Sequence, residues 1–184
     1  MVLAAGAGTR LGGVAKALLV YDGATFLARI LGTVRELAGD AIVVVGPPFG
    51  EEVARHAREL GAQVVINPEP MRGMASSIAL GFAALREGAG DAGWLWPVDL
   101  PAVTAATLRT LIAAIGSHAA ARPTYQGRGG HPPLVARSLW GELAGCAQSS
   151  ARVVLAAADT VDVAVDDPGS VRDIDTLVEL EAAR

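Results

Sequence analysis

The feature that most limits how this chain can fold is a rhythm. Short apolar runs bounded by glycine, proline or asparagine alternate with longer stretches whose apolar residues recur every three or four positions. The short runs read as buried strands and the longer stretches as amphipathic helices. Strands are expected at Met1–Ala5, Ala41–Gly46, Gln63–Asn67 and Gly93–Val98, where Trp94 and Trp96 fall on one face of the pleat. Helices are expected at about Thr25–Ala38, Glu51–Leu60, Ser76–Arg86 and Thr104–Ile115. In the first of them Phe26, Leu27, Ile30, Leu31, Val34 and Leu37 keep helical spacing, and Gly39 ends the run. Strand and helix in strict alternation require parallel strands joined by crossovers, with helices covering both faces of the sheet.

The second half is less regular. It shows a strand at Pro123–Gln126, a glycine-rich loop at Gly127–Gly130 and a strand at Pro132–Ala136. Helical stretches follow at Ser138–Ala144 and Ala151–Ala158, then a strand at Val161–Val165, a turn at Asp166–Gly169 and a helix from about Thr176. The expectation is α/β: one domain over residues 1–184, three-layer α/β/α and Rossmann-like, with a mostly parallel mixed sheet. No linker, internal repeat or low-complexity tail interrupts it.

Composition removes several functional classes. Apolar residues make up 52% of the chain, much of it alanine, but no apolar run approaches the ~18 residues of a membrane span. Fifteen basic against 19 acidic residues leave a net charge of -4, so nothing in the balance attracts a nucleic-acid backbone, and any anion must be held at a local site. Cys146 has no partner for an internal disulfide and is expected as a buried small hydrophobe, while His56, His118 and His131 lack zinc-ligand spacing. Met1–Ala5 runs into glycine without the basic and apolar regions of a secretory signal, so a cytoplasmic location is expected.

Parallel sheets bind ligands at the carboxyl ends of their strands. The loop after the first expected strand, LAAGAGTRLGG at Leu3–Gly13, carries Gly6, Gly8, Gly12 and Gly13, whose backbone N–H groups can point at phosphates. Its third glycine falls one place late for a dinucleotide fingerprint, and Val45-Gly46 brings no acid for a ribose. Val14 follows Gly13 where a Walker loop needs lysine and a hydroxyl. What remains is glycines with two cations, Arg10 and Lys16; the plain alternative is a strand-to-helix turn with solvated charges.

After the fourth strand, Asp99 stands before Pro101, and a carboxylate there suits Mg²⁺, which keeps waters while bridging to phosphates. A turn aspartate bonded to its own backbone is the alternative. Asp173 and Asp175 flank Ile174 and so point the same way in an extended segment, whereas Asp166 and Asp167 read as turn residues before Pro168-Gly169. Either Ser76 or Ser77 suits a helix N-cap, and Asn67 suits either a base or ribose contact or a turn before Pro68.

LAAGAGTRLGG followed by Lys16 resembles the L-A-A-G-x-G-x-R-x-G…K signature of the nucleotidyltransferases related to MobA and MocA, and more distantly of sugar-phosphate nucleotidylyltransferases. Four further segments resemble the family in order: NPEPMRGMASSIALGF at Asn67–Phe82, PVDLP at Pro97–Pro101, GRGGHPPL at Gly127–Leu134 and VRDIDT at Val171–Thr176. Val98, Leu100 and Leu177 depart from it, and Lys16 lies one residue further from Arg10 than is usual.

The resemblance implies a fold of the nucleotide-diphospho-sugar transferase type and Mg²⁺-dependent transfer of a nucleotidyl group from a nucleoside triphosphate to a phosphorylated acceptor, with loss of pyrophosphate. It places Leu3, Ala4, Ala5, Gly6, Gly8, Thr9, Arg10 and Lys16 around the nucleotide, joined by Asn67, Gly73, Met74, Ser76 and Ser77. Arg10, Lys16 and Asp99 would carry the catalysis. Gly130 and His131 fall to the acceptor, and Asp99 with Asp175, or in its place Asp173, to the metal. LAAG at Leu3–Gly6 resembles the cytidylyl branch and favours CTP; molybdopterin is the first acceptor implied and a sugar phosphate or other small phosphorylated metabolite the second. A homo-oligomer is allowed. Two readings from other classes remain: a dinucleotide-dependent oxidoreductase and a non-catalytic nucleotide-sensing module.

Overall fold

The protein is described as a computed structural model covering residues 1–6, 8, 13–146 and 151–182. In chain order the strands are β1 (Val2–Leu3), β2 (Val20–Tyr21), β3 (Ala24–Thr25), β4 (Ile42–Val45), β5 (Gln63–Ile66), β6 (Ala92–Trp94), β7 (Trp96–Pro97), β8 (Ala120–Tyr125), β9 (Arg128–Gly129), β10 (Leu134–Ala136) and β11 (Thr160–Ala164). The helices are α1 (Phe26–Arg35), α2 (Gly50–Glu59), α3 (Met74–Arg86), α4 (Ala105–Ile115), α5 (Trp140–Ala144), α6 (Ala151–Ala157) and α7 (Leu177–Ala182).

One half of the sheet runs β5-β4-β1-β7, all parallel, with Val43 opposite both Val2 and Val64. The other half runs β11-β8-β10-β6, where β10 is antiparallel to both its neighbours and β11 is parallel to β8. Leu95 alone separates β6 from β7, and its N–H donates to Pro133 O at 3.1 Å, so the two halves share a single passage of chain. The result is the expected parallel-rich α/β architecture.

Alternation along the strands sends neighbours to opposite faces. Val2, Val43, Val45 and Trp96 pack against α1, α2 and α4 through Phe26, Ile30, Val53 and Leu108. Leu3, Val44, Leu95 and Val135 face α3 and α5 through Ile78, Phe82 and Leu143, and Cys146 is buried in that layer as expected. Each fully buried side chain of this size contributes roughly 1.5–3 kcal/mol. No helix among the described residues is long and apolar enough to cross a membrane.

Thr25 and Thr104 begin α1 and α4 as the periodicity predicts, each accepting a backbone N–H of its own first turn. The structure corrects two expectations. Neither Ser76 nor Ser77 caps α3: the helix starts earlier, at Met74, with Gly73 at φ 97° in the cap position and no side chain capping it. Strand β8 begins at Ala120 rather than Pro123, because five of its residues pair with β11.

Candidate active site

The carboxyl ends of β1 and β7 open into a cleft of about 380 Å³. Leu3, Ala4, Ala5 and Gly6 line it from the end of β1, Met74 and Ser77 from α3, and Lys16, Asp99 and Asp175 line it too. The chain leaves β1 at the buried Ala4 and Ala5 and reverses through Gly8, whose φ of 60° and close approach to Val14 O leave no room for a Cβ. Gly13 N–H closes the reversal onto Gly8 O at 3.1 Å. A single helical turn over Lys16–Leu18 then aims Lys16 back into the cleft. Thr9 and Arg10 lie outside the described residues.

Lys16 joins the two carboxylates that the sequence separates. Its Nζ donates to Asp175 Oδ1 and lies 3.4 Å from Asp99 Oδ2. The three side chains are 19%, 22% and 27% exposed for Lys16, Asp175 and Asp99, so the cluster is sheltered but reachable. Burial raises the Asp99 pKa above the ordinary aspartate value, and the Asp175 charge adds to that effect; the Lys16 ammonium opposes both. Asp175 reaches the site because Ile174, 1% exposed, is anchored in the core and donates its N–H to Asp99 O at 2.8 Å. The flanking Asp175 therefore turns into the cleft, while Asp173 is exposed.

Asn67 has a different place from the nucleotide contact expected of it. It is 1% exposed; its Nδ2 donates to Ser76 Oγ and Ser77 Oγ, each at 2.9 Å, and its Oδ1 accepts from Glu69 N at 2.9 Å. The amide is committed to anchoring the start of α3 and does not line the cleft. Ser76 Oγ in turn donates to Gly73 O at 2.8 Å, and of this segment Pro70, Met74 and Ser77 line the cleft. The uncapped first turn of α3 adds its partial positive charge on that side.

Gly130 and His131 form a separate rim. Gly130 is buried and His131 exposed, its N–H donating to Ser170 O at 2.8 Å. The protein crowding its ring lowers the His131 pKa against the pull of the Asp99 and Asp173 carboxylates, which favours the neutral imidazole.

Two carboxylates converging on a cleft, with no third acid, histidine or cysteine grouped with them among the described residues, do not make a closed metal cage. All-oxygen donors of this number fit a hard divalent ion that keeps waters and takes its remaining ligands from phosphates. The lysine ammonium between them confirms that the position favours positive charge.

The model of the MobA-like NTP transferase domain matches residues 1–163. The chain belongs to that family. The match covers Lys16 and Asp99 but ends before Asp175. The protein Rv0371c of Mycobacterium tuberculosis superposes with a TM-score of 0.83 at 28% identity, covering 98% of this chain and 94% of that one. A manganese complex of the same mycobacterial protein superposes with a TM-score of 0.75 at 26% identity over 99% of this chain and 95% of that one. Among curated proteins, the bifunctional protein GlmU of Bifidobacterium longum subsp. infantis is 34% identical over 119 residues, 61% of this chain. The chain spans about a quarter of that relative's length, the matched share being 25%.

Proposed function

We propose that the cleft transfers a cytidylyl group from CTP, with Mg²⁺, to a phosphorylated small molecule, with molybdopterin as the first acceptor to test. The observation that carries this reading is the convergence of Lys16, Asp99 and Asp175 at the mouth of the Gly6–Gly8 loop, facing the uncapped start of α3. An acidic pair that holds a cation beside a loop of backbone donors is the arrangement a triphosphate requires.

A phosphate oxygen of the acceptor attacks the α-phosphorus in line, the bond to the β-phosphate oxygen breaks, and pyrophosphate leaves with the electron pair. The acceptor is already anionic at neutral pH, so no base is needed, and His131 with Gly130 serves to hold it. Loop amides and the α3 terminus bind the phosphates, and Lys16 offsets charge on the transferring group, a role the sequence signature also gives to Arg10. Asp99 and Asp175 would hold the divalent ion, which when bound supplies charge neutralisation at the reacting phosphate. Ala4 and Ala5 edge the base with backbone groups, and Asn67 contributes by fixing the segment that bears Met74 and Ser77. Such hydrogen bonds discriminate bases by ~1 kcal/mol each.

The test is a pyrophosphate-release screen of four triphosphates against molybdopterin and a panel of phosphorylated metabolites, paired with calorimetric titration. CTP with Mg²⁺ is expected to bind more tightly than GTP or ATP, and NAD not to compete. Tighter GTP binding would move the assignment to guanylyl transfer.

A further inference from the structure

The turn after β11 carries more than a chain reversal requires. An aspartate that only closes a turn accepts from the backbone two residues on, as Asp167 Oδ1 does from Gly169 N at 2.9 Å. Its other oxygen is committed elsewhere. Asp167 Oδ2 accepts from Thr104 N at 2.9 Å, Thr104 Oγ1 at 2.9 Å and Thr107 Oγ1 at 2.6 Å, partners 63 and 60 residues away. The side chain is buried at 5% exposure and receives four donors.

These bonds connect the loop that follows Asp99 with the Gly130–His131 loop. Thr104 ends the loop that begins at Asp99 and starts α4. On the other side, the Asp167 carbonyl accepts both the N–H and the hydroxyl of Ser170, at 3.1 and 2.8 Å, and Ser170 O accepts from His131 N at 2.8 Å. The packing leaves no slack: a Cβ on Gly169 would stand 2.6 Å from Ala102 O, and one on Gly130 would collide with Ser170 O.

We propose that Asp167 is a positioning residue that fixes the Gly130–His131 loop against the Asp99 loop and so sets the distance between the acceptor and the nucleotide. This rests on the reading of Gly130 and His131 as the acceptor side. Replacing the carboxylate by an amide keeps the shape but turns an NH₂ toward groups that are themselves donors, leaving buried polar groups unsatisfied.

The experiment is amide hydrogen exchange on the full chain for Asp167→Asn and for Thr107→Val, which removes the 2.6 Å bond and the longer 3.4 Å contact between the Thr107 and Thr104 hydroxyls. Residues 99–104 and 128–133 are expected to exchange about tenfold faster in Asp167→Asn and severalfold faster in Thr107→Val, with residues 42–45 and 74–86 at parental rates and CTP affinity within twofold. With molybdopterin as probe, its KM is expected to rise about tenfold and that for CTP to stay constant. Parental exchange at 128–133 in folded Asp167→Asn, or faster exchange spread evenly through the chain, overturns the proposal. If Asp167→Asn does not fold, Thr107→Val decides on the same segments. Exchange needs no acceptor, so it is independent of the acceptor reading, which fails instead if His131→Ala transfers to its acceptor at the parental rate.

Discussion

Lys16 contacts both Asp99 and Asp175, and a divalent ion held by the same acid pair would compete with it. At 3.4 Å the attraction between Lys16 Nζ and Asp99 Oδ2 amounts to about 5 kcal/mol at an effective dielectric of ~20. All three side chains keep 19–27% of their surface exposed, and water and the competing solvation of the ammonium cancel most of that figure. A residue of about 1.4 kcal/mol corresponds to a factor of ten in affinity. Lys16→Met removes the competing cation and keeps the length of the side chain. In the absence of nucleotide, Mn²⁺ titration followed by electron paramagnetic resonance is therefore expected to give a Kd about tenfold lower than for the parent. The same variant is expected to turn over ~10²–10³-fold more slowly, since the ammonium no longer meets the transferring phosphate. Tighter metal binding with slower turnover is the diagnostic pair. Equal or weaker Mn²⁺ binding by folded Lys16→Met would refute the competition, because a lysine that merely packed beside the acids would not raise metal affinity when lost.

Asp99→Asn is expected to abolish metal-dependent turnover in pyrophosphate release while the protein remains folded. The stability of the parent should change with pH in a defined sense: burial raises the Asp99 pKa above 3.8, so the native state holds this proton more tightly than the unfolded chain, and stability falls as pH climbs through the interval above 3.8. Without metal, Asp99→Asn should therefore melt no lower than the parent at pH 7 in calorimetry; a clear loss would show that the carboxylate stabilises the fold. Gly8→Ala puts a Cβ onto Val14 O at a φ of 60°, so CTP binding measured by calorimetry should fall by an order of magnitude or more. Gly130→Ala, by colliding with Ser170 O, should impair acceptor-dependent turnover and leave CTP binding within twofold of the parent.

Periodicity was enough for the helices because their buried faces repeat over many residues, as in α1 with Phe26, Ile30 and Val34; the expected strand Gly93–Val98 divides instead at Leu95, β6 pairing antiparallel with β10 and β7 parallel with β1. The β2–β3 hairpin escaped because each strand is two residues long, although Asp22-Gly23, at φ 48° and 80°, is the dipeptide a tight hairpin turn demands. The start of β8 escaped because Ala120 and Ala121 have little strand preference and extend by pairing with β10 and β11. For the site, the alternation around Ile174 sends Asp173 and Asp175 the same way, whereas only Asp175 lines the cleft, and its contact with Lys16 is a tertiary fact. Asn67 and Asp167 show the complementary limit. Their residue types announce turns correctly, yet the hydrogen bonds of Asn67 to Ser76 and Ser77, and of Asp167 to Thr104 and Thr107, depend on which segments the fold brings alongside.

The spacing of the acid pair from its lysine also bears on the order in which competence appears. Lys16 meets Asp99 across 83 residues and Asp175 across 159, so this contact forms only after the chain has closed its longest loops. Contacts of such separation carry the largest closure entropy and arrive late in folding. The Gly6–Gly8 loop proposed to hold the triphosphate is, by contrast, local in sequence. Recovery of metal affinity after refolding is therefore expected to lag behind recovery of helical structure.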